Sequence, residues 1–257
     1  MKIGYVLASE EFSPRALIDQ AKRAEQAGFH ALWISDHYHP WNDEQGHSGE
    51  ALNEHILGDR WPEADVRLEL LEEAVEVIRT LWQGGQRSHH GRHYTVENAR
   101  VYDLPDPPPR ILVSGFGPKA IELAARIGDG FATTAPDADA IATYRDAGGT
   151  GPVHAGTKVC YGRDEAKARA TAHRLWPNEA LPGELAQVLP TPAHFEQACE
   201  LVTPDQIQAP VGPDLDAHAE ALRAYEHAGV DELFVQQIGP EQERFFDDWA
   251  PAVLRRF

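Results

Sequence analysis

Cysteine and methionine are nearly missing: 257 residues carry two Cys and one Met. Cys160 and Cys199 lie far apart, so neither a disulfide framework nor a paired-cysteine zinc pattern exists, and the expected compartment is a reducing cytoplasm. Basic residues are also scarce, with 23 Lys and Arg against 41 Asp and Glu and a formal charge of −18. A surface that acidic repels phosphate backbones and anionic headgroups, which argues against nucleic acid or a membrane surface as partner. An anionic ligand would have to be held locally, by backbone N–H groups or a few basic side chains. No apolar run approaches the roughly 18 residues of a bilayer span. The opening MKIGYVLASEEF is too short in its apolar part for a secretory leader. No GxGxxG follows the first strand and no GxxxxGK[ST] occurs, which sets aside a dinucleotide Rossmann site and a P-loop. What is present is ordinary for a globular protein: 42% hydrophobic and 25% charged residues.

The hydrophobic pattern alternates between strand and helix. Lys2–Leu7 reads as a buried strand, Ser13-Pro14 as a helix start, and Leu17, Ile18, Ala21, Ala24 and Ala27 as its apolar face, closed by Gly28. Ala31–Ser35 is the next strand, so a βαβ unit with a right-handed crossover is expected. A polar stretch from Asp36 to about Pro62 follows, long enough for a functional loop, with a short helix possible at Gly49–Leu57. Residues 63–83 give the clearest helix, ended by Gly84-Gly85. Residues 93–104 read as a β-hairpin turning at Glu97-Asn98. Strands are then expected near 110, 130, 157 and 232, with helices at 119–127, 137–147, 164–176, 194–201, 216–228 and 242–254. Six parallel strands alternating with helices fit a (β/α) barrel or an open doubly wound sheet.

The densest cluster of reactive side chains is Ser35-Asp36-His37-Tyr38-His39-Pro40-Trp41, at the C-terminal end of the second strand, where parallel α/β folds place catalysis. A His beside an orienting Asp suits a general base. The plain alternative is a loop whose His and Trp only pack the strand end. His37, His39, His47, Glu50, Glu54 and His55 also raise a metal site, but the later strand ends carry no His to complete one. Ser114-Gly115-Phe116-Gly117, between a strand and a helix start, could cradle phosphate or be an ordinary turn. Glu10 follows the first strand and would face the same rim as His37, or simply be solvated.

SEEF, SDHYHPW, GEALNEHILGDRWPEADVRLELLEEAVEVIRTLW, the VSGFGPKA…ARIGDGFATTAPDA stretch and HRLWPN together resemble the luciferase-like flavin and deazaflavin enzymes, in their F420-dependent oxidoreductase branch. The resemblance implies a TIM-barrel-derived α/β fold with the deazaflavin F420, rather than FMN, at the C-terminal rim. It implies Asp36 near the deazaflavin ring, His37 as the base taking the substrate hydroxyl proton, and Trp41 over the reacting face. Glu50 with Gly49 would sit by the ring as a proton partner, Asn53 would bond its edge, and Glu10 would lie near the substrate. The Ser114–Gly117 turn, through backbone at Gly115, Phe116 and Gly117, would hold the cofactor phosphate.

Two departures from the family pattern carry consequences. Family members have a further segment between the equivalents of Ser48 and Gly49, holding two βα units. Residues 1–257 are therefore expected to form one luciferase-like domain of about six parallel strands, shortened between 48 and 49. Its open strand edges predict a homodimer. After Gly130 there is no Lys at the place where sugar-phosphate members carry one, and Ala209–Pro213 also lacks a base. The expected activity is hydride transfer between F420 and a small neutral alcohol or its carbonyl, not a sugar phosphate. The alternatives are a catalytically impaired relative acting as a binding protein, and a metal-dependent hydrolase. No metal is expected.

Overall fold

Side chains alternate across a strand, so a parallel strand in the middle of a sheet must satisfy two faces at once. β1 (Lys2–Leu7) does this in the computed structural model, which describes residues 1–35, 62–183, 185, 189 and 191–257. These residues sort into two compact units, one with 1–35, 134–136 and the described residues from 155 on, the other with 62–133 and 137–154.

In the first unit β1 pairs in parallel with β2 (Leu32–Ile34) on one side and β9 (Glu232–Gln237) on the other, with Tyr5 opposite Leu32 and Ile3 opposite Leu233. β7 (Val153–Tyr161) lies next to β9, and the short β8 (Val211–Gly212) pairs in parallel with the end of β7. β8 falls in a Pro-rich stretch whose pattern shows no strand. The helices are α1 (Pro14–Ala27), α5 (Glu165–Leu175), α6 (Pro192–Cys199), α7 (Leu215–Ala228) and α8 over residues 242–253, which contains a wider π turn at Phe245–Trp249. α1 starts at Ser13 with Pro14 in its first turn and ends at Gly28, whose φ of 90° suits glycine.

One face of β1 packs on helices. Tyr5 lies 5.1 Å from Phe246 and 5.5 Å from Phe29 between ring centroids, and Phe245 stacks on Trp249 at 4.5 Å. The Tyr5 hydroxyl donates to Gln242 Oε1 at 2.7 Å, and Gln242 Nε2 donates to the carbonyls of Gln237 and Gly239. His218 is fully buried. Trp249 Nε1 donates to its Nδ1 at 3.1 Å, so its proton sits on Nε2, which faces the Gly212 carbonyl at 3.1 Å. Burial pushes this imidazole down to about 4, which keeps it neutral. Cys160 and Cys199 are buried thiols, pushed by burial up to about 12 and about 11, as expected of structural cysteines.

In the second unit β5 (Leu112–Ser114) pairs in parallel with β6 (Gly130–Thr133), and the Phe131 N–H donates to Pro152 O at 2.9 Å just before β7 begins. α2 (Ala64–Trp82), α3 (Pro118–Ile127) and α4 (Ala138–Asp146) complete it. Arg126 and Glu72 join α3 to α2 in a two-pronged ion pair. The hairpin lies earlier than its sequence suggests. β3 (Arg87–His90) and β4 (Thr95–Ala99) are antiparallel, and the turn is at residues 91–94. Glu97 and Asn98 belong to β4. Asn98 has a φ of 52° at a register shift between Arg87 and His89, and its N–H donates to Ser88 Oγ at 3.0 Å. Asn tolerates that backbone in a bulge as well as in a turn, and this misleads the sequence reading.

Glu73 of α2 replaces the missing turn chemistry. Its carboxylate accepts from the backbone N–H groups of Arg92, His93 and Tyr94 at 3.1, 2.9 and 2.8 Å, and faces His89 Nε2 at 3.1 Å. Burial raises the carboxyl, but the donors of Tyr94, His93 and His89 together outweigh it and hold it at about 2, against an ordinary 4.5. A depressed folded-state value favours folding in the ionised form. The contribution is complete above the ordinary value and is lost as the pH falls toward about 2. Glu73→Gln should lower the urea midpoint at pH 7 and flatten its decline below pH 4.5. An unchanged acid limb in the variant would show that Glu73 does not anchor the hairpin.

Candidate functional site

The second face of β1 is nearly bare at Gly4. A Cβ there would lie 2.4 Å from Phe234 Cδ1. The vacancy lets Phe234 of β9 stack on Trp33 of β2, with centroids 4.1 Å apart and planes 8° from parallel. Gly156 of β7 faces Trp33, its absent Cβ 3.4 Å from Trp33 Cζ3. Gly4, Trp33, Gly156 and Phe234 therefore share one face and form an aromatic floor.

Two residues further along β9 and β7, on the same face by alternation, stand Gln236 and Lys158. They form a polar layer above the floor, at the C-terminal strand ends. Glu11, just past β1, joins them: it accepts from Trp176 Nε1 at 2.6 Å, from Gln236 Nε2 at 3.0 Å and from the Gly239 N–H at 2.8 Å. Burial drives its carboxyl above the ordinary carboxylate value, against the pull of those three donors, and the neighbouring Glu10 adds to the rise. Lys158 Nζ lies 4.0 Å from the Trp176 ring centroid and is ion-paired with Glu179.

Glu10 is buried rather than solvated, at 4% exposure, and accepts from Ser35 Oγ at 2.8 Å. Ser35 also accepts from Ser9 Oγ through its carbonyl at 2.7 Å. This ties the end of β1 to the end of β2, directly before the Asp36-His37 pair. Asp36, His37, Trp41, Gly49, Glu50 and Asn53 lie outside the described residues, as do His39, His47, Glu54 and His55 of the metal reading. Among the described residues no group of three or more His, Cys, Asp or Glu is placed to hold a metal, and no helix is long and apolar enough to cross a membrane.

Ser114–Gly117, in the other unit, forms the turn from β5 into α3. Gly117 is the N-cap and provides no side-chain cap. Pro118 has no N–H to satisfy, and no side chain caps the N–H groups that follow it in the first turn. A Cβ on Gly115 would lie 2.8 Å from the backbone C of Ala120, so glycine is needed for the close strand-to-helix approach. Nothing lies within 4 Å of a Cβ built at Gly117. Phe116 is exposed.

Sequence reasoning missed Glu11, Lys158, Trp176, Glu179 and Gln236. Two motifs did contain some of them: Glu11 is the second acid of SEEF, and Trp176 the aromatic of HRLWPN. Period-two alternation would have placed Lys158 and Gln236 on one face, but only strand order brings the two together.

The sequence model of the family described as luciferase-like monooxygenase matches residues 46–232. The chain is 27% identical over 330 aligned positions to the F420-dependent glucose-6-phosphate dehydrogenase of Amycolatopsis mediterranei, covering 99% of this chain and 98% of that protein. It is 28% identical over 331 positions to the enzyme of that description from Nakamurella multipartita, covering 100% and 96%. Both alignments are longer than the chain, so these relatives carry residues that it lacks. Among solved structures, an F420-dependent secondary alcohol dehydrogenase in complex with an F420-acetone adduct superposes with a TM-score of 0.84 at 21% identity, over 98% of each chain. The coenzyme F420-dependent tetrahydromethanopterin reductase of Methanopyrus kandleri superposes with a TM-score of 0.72 at 17% identity, over 100% and 99%. These likenesses establish the TIM-barrel-derived fold.

The two glycines of the turn should respond differently to substitution. Gly115→Ala must move α3 and should cost about 1–3 kcal/mol in urea unfolding. Gly117→Ser adds a good N-cap in open space and should change stability by only a few tenths, about 0.5 kcal/mol at most. Equal losses would show that the turn is not packed as described.

Proposed function

The chain belongs to the luciferase-like monooxygenase family, and on that premise we propose that it is an F420-dependent oxidoreductase moving a hydride between a small uncharged alcohol and its carbonyl. The observation that carries the reading is its near end-to-end alignment with proteins described as F420-dependent. The residues present suit the cofactor. The uncapped first turn of α3 behind Gly115-Phe116-Gly117 offers N–H groups and a helix dipole to a phosphate. A backbone cradle of this kind needs no basic patch, which suits a chain of charge −18.

When bound, the deazaflavin supplies the two-electron partner for the hydride. In this reading His37 takes the substrate hydroxyl proton in oxidation and returns it in reduction, and Asp36 lies toward the ring. Trp41 would cover the reacting face. Glu50, with Gly49, would sit by the ring as a proton partner, and Asn53 would bond its edge. Glu10 keeps the β1 and β2 ends together through Ser35, which sets where the His37 segment begins. A phosphorylated sugar is the second reading, favoured by the description of the curated relatives as glucose-6-phosphate dehydrogenases. The whole of 1–257 is read as a single shortened domain.

Titration with oxidised F420 and with FMN under the same conditions should give the tighter constant for F420, and Gly117→Ser should weaken it by blocking the cradle. FMN binding as tight as F420 would overturn the cofactor assignment. His37→Ala should lower turnover about 10²–10⁴-fold with cofactor affinity nearly unchanged, and full turnover in that variant would move the base elsewhere.

The strand ends also bear on assembly. Among the described residues β2 pairs with β1 alone, and Leu32 and Ile34 of β2 are exposed at 43% and 63%. Open apolar strand edges favour pairing with another chain, so a homodimer is expected. Light scattering on a sizing column should give twice the 28.5 kDa chain mass, and a stable monomer at micromolar concentration would refute it.

A further inference from the structure

The polar layer over the Trp33–Phe234 floor holds a basic group that is already occupied. Lys158 is mostly buried, at 19% side-chain exposure, while its partner Glu179 is 44% exposed. The ammonium lies over the Trp176 ring, within the range of a cation–π contact. The same Trp176 donates its indole N–H to Glu11. One cation thus meets two carboxylates across one indole. Glu179 repels an incoming phosphate and balances the charge of Lys158.

We propose that the Lys158–Glu179 pair determines substrate specificity, admitting uncharged hydroxyl and carbonyl compounds and rejecting phosphorylated ones; this rests on the oxidoreductase reading above. Lys158 keeps N–H donors for a neutral oxygen, because an ammonium has three and the carboxylate does not use them all. Trp176 and Glu179 fix where those donors point. Removing the Glu179 charge leaves Lys158 in place on Trp176 but free to bind an anion. Removing Lys158 takes away the cation that would hold an anion there.

The test is calorimetric binding of glucose 6-phosphate, inorganic phosphate and glucose to the full chain and to Glu179→Gln. Glu179 is half exposed and outside the core, and a melting curve of the variant confirms folding. Glu179→Gln should bind glucose 6-phosphate and phosphate roughly ten- to a hundredfold more tightly than the wild type, with no gain for glucose. Adding Lys158→Met should abolish that gain, and adding Lys158→Arg should keep most of it. Wild-type protein that binds glucose 6-phosphate as tightly as Glu179→Gln would overturn the proposal, as would a gain that survives Lys158→Met. F420 titration of the same samples separates the two claims. Failure to bind F420 removes the oxidoreductase reading, while the phosphate comparison still decides what the Lys158–Glu179 pair does.

Discussion

The absence of a side chain at Gly4 is the constraint on which the first unit depends. β1 is sandwiched between β2 and β9, and its two faces are treated oppositely. Tyr5 fills one face with a ring that reaches α8 and anchors it through Gln242. The other face at Gly4 is empty, so Phe234 can cross the strand and lie flat on Trp33. Gln236 and Lys158 stand above that floor. A residue with a Cβ at position 4 would push Phe234 away, and with it the level at which Gln236, Lys158 and Glu11 meet.

Above the floor, polar groups are placed where burial would otherwise penalise them, and each has a partner. Glu11 takes three donors, Glu10 takes Ser35, Lys158 takes an aromatic face and a carboxylate. Buried polar groups arranged this way hold the strand ends in one geometry, because an alternative packing would leave several of them unpaired. Preorganisation of this kind is what a reaction site requires, whatever the substrate. The fold itself hosts many chemistries, and the choice among them lies in such side chains.

Much of the architecture was legible from periodicity. α2, α3, α5 and α7 fall within a residue or two of their expected limits, since long amphipathic runs with Gly or Pro at the ends leave few alternatives. The Ser114–Gly117 turn lies where the sequence puts it. The hairpin did not, because Asn98 suits a bulge as well as a turn, and the residue that settles the matter, Glu73, sits on a helix well before it. Glu10 stood in the expected place, but its burial was not legible. A carboxylate after a strand is usually solvated, and only the Ser35 hydroxyl across the β1–β2 pairing makes its burial tolerable.

By itself the amino-acid sequence determined the order of strands and helices, the glycine turn at α3, the acidic surface and the family, because these rest on local pattern and on motifs read in order along the chain. Tertiary structure alone decided which side chains meet: Lys158 with Trp176 and Glu179, Glu11 with Gln236, Glu73 with the hairpin turn. Each pair is separated by tens to hundreds of residues or depends on strand order. No local propensity encodes such contacts, because they arise from packing shared across strands and helices.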